Sequence, residues 1–348
     1  MPSDNRRPRV ACAGLGWIGR HRLAALAESD LVDIVALADC DDEACARAAE
    51  WAPAAARVRT LDEALALAPD GVVLATPSAL HAEQSIRALA GGAAVFCQKP
   101  LGRSAAEVHA VIDAARQANR LLGVDFSYRY TEGLRHLHDL VRSGALGRVY
   151  AVDLTFHNAY GPDKEWFYDA TQSGGGCLLD LGVHLVDFVL WTFDAPVRRV
   201  SGHVFAAGER LSPGDLRVED YAAGEIELAN GVLVRLACSW KLPAGCDAQI
   251  AVLIFGTQGG LGFRNVGGSF YDFVAEAYRG TSTQTLCSPP DAWSGRAIVS
   301  WARQLRASNA YDAQIETAGR VAETIDRLYG RPVGRDLPSL LPLSKSAR

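Results

Sequence analysis

From residue 9 to residue 125 the chain alternates short apolar runs with longer alanine- and leucine-rich stretches. The runs Arg9–Ala13, Asp33–Ala38, Arg57–Val58, Gly71–Ala75, Ala93–Cys97 and Leu122–Asp125 read as strands. The stretches between them read as helices, the first over Ile18–Glu28. Two helices announce their starts with capping boxes, Thr60 with Glu63 and Ser104 with Glu107. Strands and helices in alternation predict a parallel sheet with helices on both faces.

The pattern changes after Phe126. A helix is predicted over Thr131–Ser143, then a strand with period-two alternation over Val149–Phe156. A polar and aromatic loop, His157–Gly176, leads into an apolar helix, Cys177–Trp191. The remainder is mostly strand-like. Ala222–Leu228 and Val232–Trp240 flank Asn230-Gly231, a hairpin signal, and Ala248–Phe255 ends in the glycine turn 256–260. Helices follow near Trp293–Arg306 and Tyr311–Leu328, and the proline-rich tail after Gly330 is expected to wrap the surface. The expected fold is α/β. A doubly wound parallel sheet over residues 1–126 precedes an α+β domain, residues 127–348, with a large, mostly antiparallel open sheet. Such a sheet, covered on one face, leaves the other for a second subunit or for solvent.

The first strand runs into Gly14-x-Gly16-x-x-Gly19, and the second ends in Asp39, twenty residues beyond Gly19. Strand, glycine turn, helix and acidic residue at these spacings are the context of a dinucleotide-binding unit. Gly14 allows the tight turn, Gly16 a close approach of backbone to pyrophosphate, and Gly19 close helix–strand packing. The helix N-terminus, at Trp17 and Ile18, presents unpaired N–H groups to the anion. A carboxylate at Asp39 accepts from ribose hydroxyls and repels a 2′-phosphate. No Arg or Lys follows it until Arg47, so NAD(H) is favoured over NADP(H). Asp41 or Asp42 can cap the next helix, leaving Asp39 free.

Composition narrows the class. With 348 residues, 49% hydrophobic and 22% charged, the chain suits a globular protein of two domains. A net charge of −5 with scattered basic residues gives no case for nucleic acid. Asp180, His184 and Asp187 interrupt the longest apolar segment, so no membrane span is expected. The eight cysteines form no metal-like spacing. Reduced thiols and no leader at Met1–Pro8 point to the cytoplasm.

Two strand ends carry further chemistry: Thr76-Pro77, with His81 beyond, and Gln98-Lys99-Pro100. Ligands of open parallel sheets bind outside the carboxyl ends of the strands. Lys99 at a proline-fixed strand end is a candidate to stabilise alkoxide charge. Alternatively it is a surface charge, and His81 a helix-start residue. On the apolar helix, Asp180, His184 and Asp187 fall at i, i+4 and i+7 and share one face. His184 suits acid–base work, and Asp180 is placed to orient it and raise its pKa. A solvent-facing stripe, or a metal pair lacking a third ligand, are the alternatives. His157–Asp169, with Asn158, Tyr160, Lys164, Trp166 and Tyr168, is the expected lid, and Arg129 and Trp240 are weaker candidates for the same pocket.

The glycine fingerprint, Thr76-Pro77-x-x-x-His81, Gln98-Lys99-Pro100 and Gly174-Gly175-Gly176-x-x-x-Asp180-x-x-x-His184 together resemble the Gfo/Idh/MocA oxidoreductases over almost the whole chain. The resemblance implies hydride transfer between nicotinamide C4 and a carbinol or carbonyl carbon of a sugar, polyol or inositol-like substrate. It implies Lys99, Asp180 and His184 as the catalytic trio. It places cofactor contacts at Gly14, Gly16, Trp17, Ile18, Gly19, Asp39, Thr76, Pro77, His81, Gln98 and Lys99. It also implies a homodimer or homotetramer through the C-terminal sheet. Gln98 departs from the family's usual Glu, keeping hydrogen-bond reach but losing charge. Two relatives' roles stand as alternatives: glycoside hydrolysis with recycled NAD, and non-catalytic dinucleotide sensing.

Overall fold

In the computed structural model, which describes residues 6–212 and 214–333, two sheets organise the chain. The first is built from β1 (Arg9–Ala13), β2 (Asp33–Ala38), β3 (Ala56–Val58), β4 (Gly71–Leu74), β5 (Ala94–Cys97) and β6 (Leu122–Val124). All its pairings are parallel, in the order β3-β2-β1-β4-β5-β6. The order reverses between β1 and β4, which opens a crevice at their carboxyl ends. Helices α1 (Trp17–Ser29), α2 (Asp42–Ala48), α3 (Leu61–Leu65), α4 (Ser78–Ala90) and α5 (Ala105–Ala118) connect the strands. Thr60 and Ser104 cap α3 and α5 as their spacing predicts, accepting from the Glu63 and Glu107 amides at 3.2 and 3.3 Å.

After a 3₁₀ turn at Ser127–Tyr130, α6 (Glu132–Arg142) and β7 (Val149–Asn158) lead into the expected loop. That loop holds a 3₁₀ turn, Glu165–Tyr168, and a one-turn helix, α7 (Ala170–Ser173). A π-helical turn, Leu178–Gly182, then runs into α8 (Val183–Phe193). The second sheet continues with β8 (Val197–Ala206), β9 (Glu209–Arg210), β10 (Tyr221–Leu228), β11 (Leu233–Ser239), β12 (Ala248–Gly256), β13 (Gly260–Asn265), β14 (Phe273–Arg279) and β15 (Ser282–Cys287). Its order is β15-β14-β13-β12-β7-β11-β10-β8-β9. Among the described residues, only its β7–β11 pairing is parallel. Helices α6, α8 and the last helix, α10 (Glu316–Leu328), pack on the sheet. On β12, residues 248, 250, 252 and 254 are buried while 249, 251, 253 and 255 are exposed or half-exposed.

Helix α9 (Arg296–Ala307) returns to the first sheet. Trp301 lies over β4 and β6, where added Cβ atoms at Gly71 and Gly123 would each come within 2.8 Å of its ring. Residues 296–307 thus complete the core of a sheet made by the first 124 residues. The stretch Ala170–Phe193 is apolar and long enough to cross a membrane, but 83% of its most apolar window is buried as a core element. Of the expected surface-wrapping tail, residues 334–348 lie outside the described residues.

Candidate active site

A cleft of about 1180 Å³ runs along the carboxyl ends of β1, β2, β4 and β5 and reaches the π turn and α8. Its floor is the glycine turn. Gly14 has φ +83°, and a Cβ there would lie 2.4–2.5 Å from the Ala75 and Thr76 backbone. A Cβ on Gly19 would lie 1.9 Å from Gly14 O, which places Gly19 behind the cleft wall rather than on it. Gly16, in contrast, has nothing within 4 Å of such an atom, so the backbone lies open to the cleft. Trp17 and Ile18, the first residues of α1, line the same wall. The three glycines therefore divide as a bound dinucleotide requires: two sites closed by packing, one open for a pyrophosphate.

Asp39 lines the cleft but is not free. Its Oδ2 accepts from Leu15 N at 2.6 Å and its Oδ1 from Asp41 N at 3.0 Å, bracing the glycine turn. Asp41 caps α2, as expected. A cation also stands nearer than sequence order suggests. Arg59, after β3, donates to Asp42 Oδ1 at 2.6 Å and to Cys40 O at 2.8 Å, and lines the same end of the cleft. Adjacent parallel strands bring it there across nineteen residues of chain.

Thr76 and Pro77 form the next part of the wall. His81 is 1% exposed and ties two turns together: Nδ1 lies 2.6 Å from Pro100 O and Nε2 2.7 Å from Thr76 O. Burial lowers its pKa, while both carbonyls act to raise it.

Lys99 and Asp180 meet at the far end. Lys99 Nζ donates to Asp180 Oδ1 at 2.5 Å and to Asp180 O at 2.8 Å, and both side chains are 18% exposed. Trp240 donates its indole N–H to Asp180 Oδ2 at 3.1 Å. Asp180 thus spends its carboxylate on Lys99 and Trp240, not on His184. Both partners come from segments distant in the chain. His184 packs against the Tyr128 ring, centroids 4.8 Å apart, and its buried Nδ1 has no hydrogen-bond partner among the described residues. Its pKa lies well below the ordinary value, first from burial and then from the charges of Lys99 and Arg22. Asp180 therefore does not raise it, and the imidazole is neutral at pH 7.

The triple glycine allows this approach. A Cβ on Gly176 would lie 1.9 Å from Glu219 O. The buried Glu219 carboxylate accepts from Gly176 N, Leu178 N and Tyr329 OH at 2.8, 3.0 and 2.7 Å, capping the π turn.

The remaining candidates divide. Asn158 and Trp166 line the cleft, as does Lys164. Tyr160 does not: it is 57% exposed and donates to Asp247 at 2.6 Å. Trp240 is 3% exposed and stands behind Asp180. Arg129 lies outside the cleft, in a separate crevice with Trp191 and Arg296. It makes a bidentate pair with Asp187, whose carboxylate is thereby withdrawn from the His184 face. Tyr128, Phe270, Tyr271 and Trp293 add an aromatic wall beside His184 that sequence spacing did not single out. They come from three separate segments, and their local patterns carry no periodic signal.

Known proteins resemble this chain in sequence and fold. The family profile described as "Oxidoreductase family, NAD-binding Rossmann fold" matches residues 8–126, and the "GFO/IDH/MocA C-terminal domain" matches 134–262. The chain is 29% identical to "D-glucoside 3-dehydrogenase" of Escherichia coli (strain K12), over 67% of this chain and 70% of that one. It is 32% identical to "Rhizopine catabolism protein MocA" of Rhizobium meliloti, over 73% of this chain and 77% of that one. Among solved structures, GenD2 from gentamicin A biosynthesis, in complex with NAD, superposes with TM-score 0.77 at 28% identity. That match covers 93% of this chain and 95% of GenD2. Two matched halves, joined by a cleft whose glycine turn fits a dinucleotide, make this chain a member of the Gfo/Idh/MocA family of NAD(P)-binding oxidoreductases.

Proposed function

We propose that the protein is an NAD(H)-dependent dehydrogenase or reductase acting on a hydroxyl-bearing carbon of a sugar, polyol or inositol-like substrate. The observation that carries this reading is the neutral His184, whose Nδ1 has no hydrogen-bond partner among the described residues, beside the Lys99–Asp180 pair in a cleft continuous with the glycine turn. In the oxidative direction His184 accepts the hydroxyl proton. Lys99 has three N–H donors and spends two on Asp180, so one remains for the substrate oxygen as negative charge grows on it. Asp180, anchored by Trp240, holds Lys99 in place. NAD, when bound, supplies the two-electron acceptor for the hydrogen leaving the carbinol carbon. The aromatic wall of Tyr128, Tyr271 and Trp293, with Trp166, offers the apolar faces on which a sugar ring stacks, and Asn158 a polar contact.

Asp39 supports the preference for NAD(H), while Arg59 is the group through which NADP(H) would gain a foothold. Residues 1–126 form the dinucleotide domain and 127–348 the substrate and assembly domain in this reading. The half-exposed outer face of the second sheet, with Ala223, Ala237 and Ala251, supports a homodimer or homotetramer through that face. Eight free thiols support a cytoplasmic setting.

The test is an absorbance screen of sugars, inositols and their keto forms with NAD(H) and NADP(H). Turnover with at least one polyol class, lost in Lys99→Ala and His184→Ala, is the expected result. Full turnover in either variant would overturn the assigned roles. Sugar release without net change in nicotinamide absorbance would replace the dehydrogenase by a hydrolase.

A further inference from the structure

A second polar chain runs behind the cleft. Arg22 of α1 donates its Nε to Asp125 Oδ2 at 2.5 Å, and Gln98 donates its amide N–H to the same oxygen at 2.8 Å. Gln98 Oε1 in turn accepts from Lys99 N at 3.0 Å. Asp125 is completely buried and Arg22 is 5% exposed. The chain ties the helix of the glycine turn to the ends of β5 and β6, and ends on the backbone of Lys99. Arg22, Gln98 and Lys99 all line the cleft.

These contacts fix the chemistry allowed at position 98. An amide donates to Asp125 and accepts from Lys99 N at once. A carboxylate there would set an oxygen against Asp125 Oδ2, and two carboxylates at such a distance cannot both ionise. Residues 98 and 125 therefore hold one negative charge between them. Here it sits at 125, where Arg22 neutralises it. Arg22 also helps keep His184 neutral, so a change in this chain reaches the proton-transfer group as well.

We propose that Asp125, with Arg22 as counter-ion, is the positioning residue of this end of the cleft. It orients Gln98 against Lys99, and positions 98 and 125 form an exchangeable acid–amide pair that sets dinucleotide affinity. The inference rests on the dinucleotide reading of the cleft. The charged groups around the pair are Arg22 from α1, Lys99 next in the chain, and Asp180 with His184 across the cleft. The neighbouring Cys97 thiol, pushed up to about 12 by burial, stays neutral.

The experiment is NADH fluorescence titration of the full chain at pH 6 and pH 8.5, with melting temperatures measured alongside. Gln98→Glu raises the Kd at least tenfold at pH 8.5. At pH 6 the two carboxylates share a proton, the new acid donates as the amide did, and affinity recovers. Asp125→Asn weakens binding at both pH values, because Arg22 loses its partner. Gln98→Glu with Asp125→Asn returns the Kd to within about threefold of wild type and removes the pH dependence. A packing role alone would lower the melting temperature without a pH-dependent Kd. The proposal fails if Gln98→Glu binds like wild type at both pH values, or if the double variant binds no better than Gln98→Glu. Should Gln98→Glu not fold, the comparison of Asp125→Asn with the double variant decides: improvement supports the pair, and none overturns it. Loss of NADH binding by the wild type would instead remove the dinucleotide reading.

Discussion

Replacing Arg129 by Met separates a structural ion pair from a substrate contact. The guanidinium donates Nε to Asp187 Oδ2 at 2.7 Å and Nη2 to Oδ1, and stacks near Phe126 and Trp191 at 5.3 and 5.7 Å. The Asp187 side chain is 3% exposed. Methionine fills most of the volume but leaves that carboxylate buried without a partner, a loss of about 3–5 kcal/mol for a broken buried pair. Burial already pushes the Asp187 pKa up while Arg129 pulls it down. The net direction is already upward, and without Arg129 the folded-state pKa rises further above the unfolded value. A group raised in this way loses stability as pH climbs from its unfolded pKa, about 3.9, through its folded one, so the deficit is smaller near pH 5 than near pH 8. Urea unfolding followed by tryptophan fluorescence at both pH values measures it. Replacing Asp187 by Leu as well removes the stranded charge, so the double variant recovers most of the loss. The substrate KM of folded Arg129→Met stays near wild type. A stability loss below about 1 kcal/mol at pH 8, together with a raised KM, would return Arg129 to the substrate pocket and refute the argument.

Five other outcomes follow from the same geometry. Because burial and two cations hold His184 well below its ordinary pKa, kcat/KM for oxidation stays on its plateau as pH falls from 7 to 6; a decline centred at 6.5 would mean an unshifted imidazole. The depressed pKa also means that the unfolded chain binds the proton first, so this residue's contribution to stability falls as pH drops below about 6.5; urea midpoints of wild type and His184→Phe check it. Gly19→Ala drives a Cβ into Gly14 O and abolishes NADH binding in a fluorescence titration; retained affinity would show that the turn relaxes freely. Trp240→Phe removes the donor on Asp180 Oδ2, a charged hydrogen bond of about 1.5–3 kcal/mol, and lowers kcat roughly tenfold or more with NADH Kd unchanged. Arg59→Ala lowers kcat/KM for NADPH relative to NADH; an unchanged ratio would clear Arg59 of any part in coenzyme choice.

The first sheet was legible because its signals are local. Most of its parallel strands are short apolar runs, and observed ends differ from expected ones by a residue at most. The second sheet was less so. Its hairpin at Asn230-Gly231 and its period-two strands were visible, but β8 carries Arg198 and Arg199, and β15 reads Ser-Thr-Gln-Thr-Leu-Cys. Strands half in solvent lose the apolar run that marks them. Pairings between distant segments carry no sequence signal either. Arg22 and Asp125 are 103 residues apart, and Lys99 and Asp180 are 81 apart.

The helix after the triple glycine shows how a correct local reading can still assign wrong partners. Asp180, His184 and Asp187 share a face only if the winding is uniform at 3.6 residues per turn. The π turn at Leu178–Gly182 departs from that winding, yet His184 and Asp187 both lie in regular α8 and still part ways, so it is partners from other segments that divide the stripe. Lys99 and Trp240 take Asp180, Arg129 takes Asp187, and His184 keeps Tyr128 but no hydrogen bond at Nδ1. A His–Asp pair on one helix would have produced a raised pKa and an imidazole charged at neutral pH. Dividing the stripe leaves instead a neutral base next to an ammonium. That combination is what the proposed proton transfer requires: a base for the hydroxyl proton and a cation for the oxygen left behind. Partners from distant segments, rather than helix geometry, thus decide which member of the stripe is left for that role.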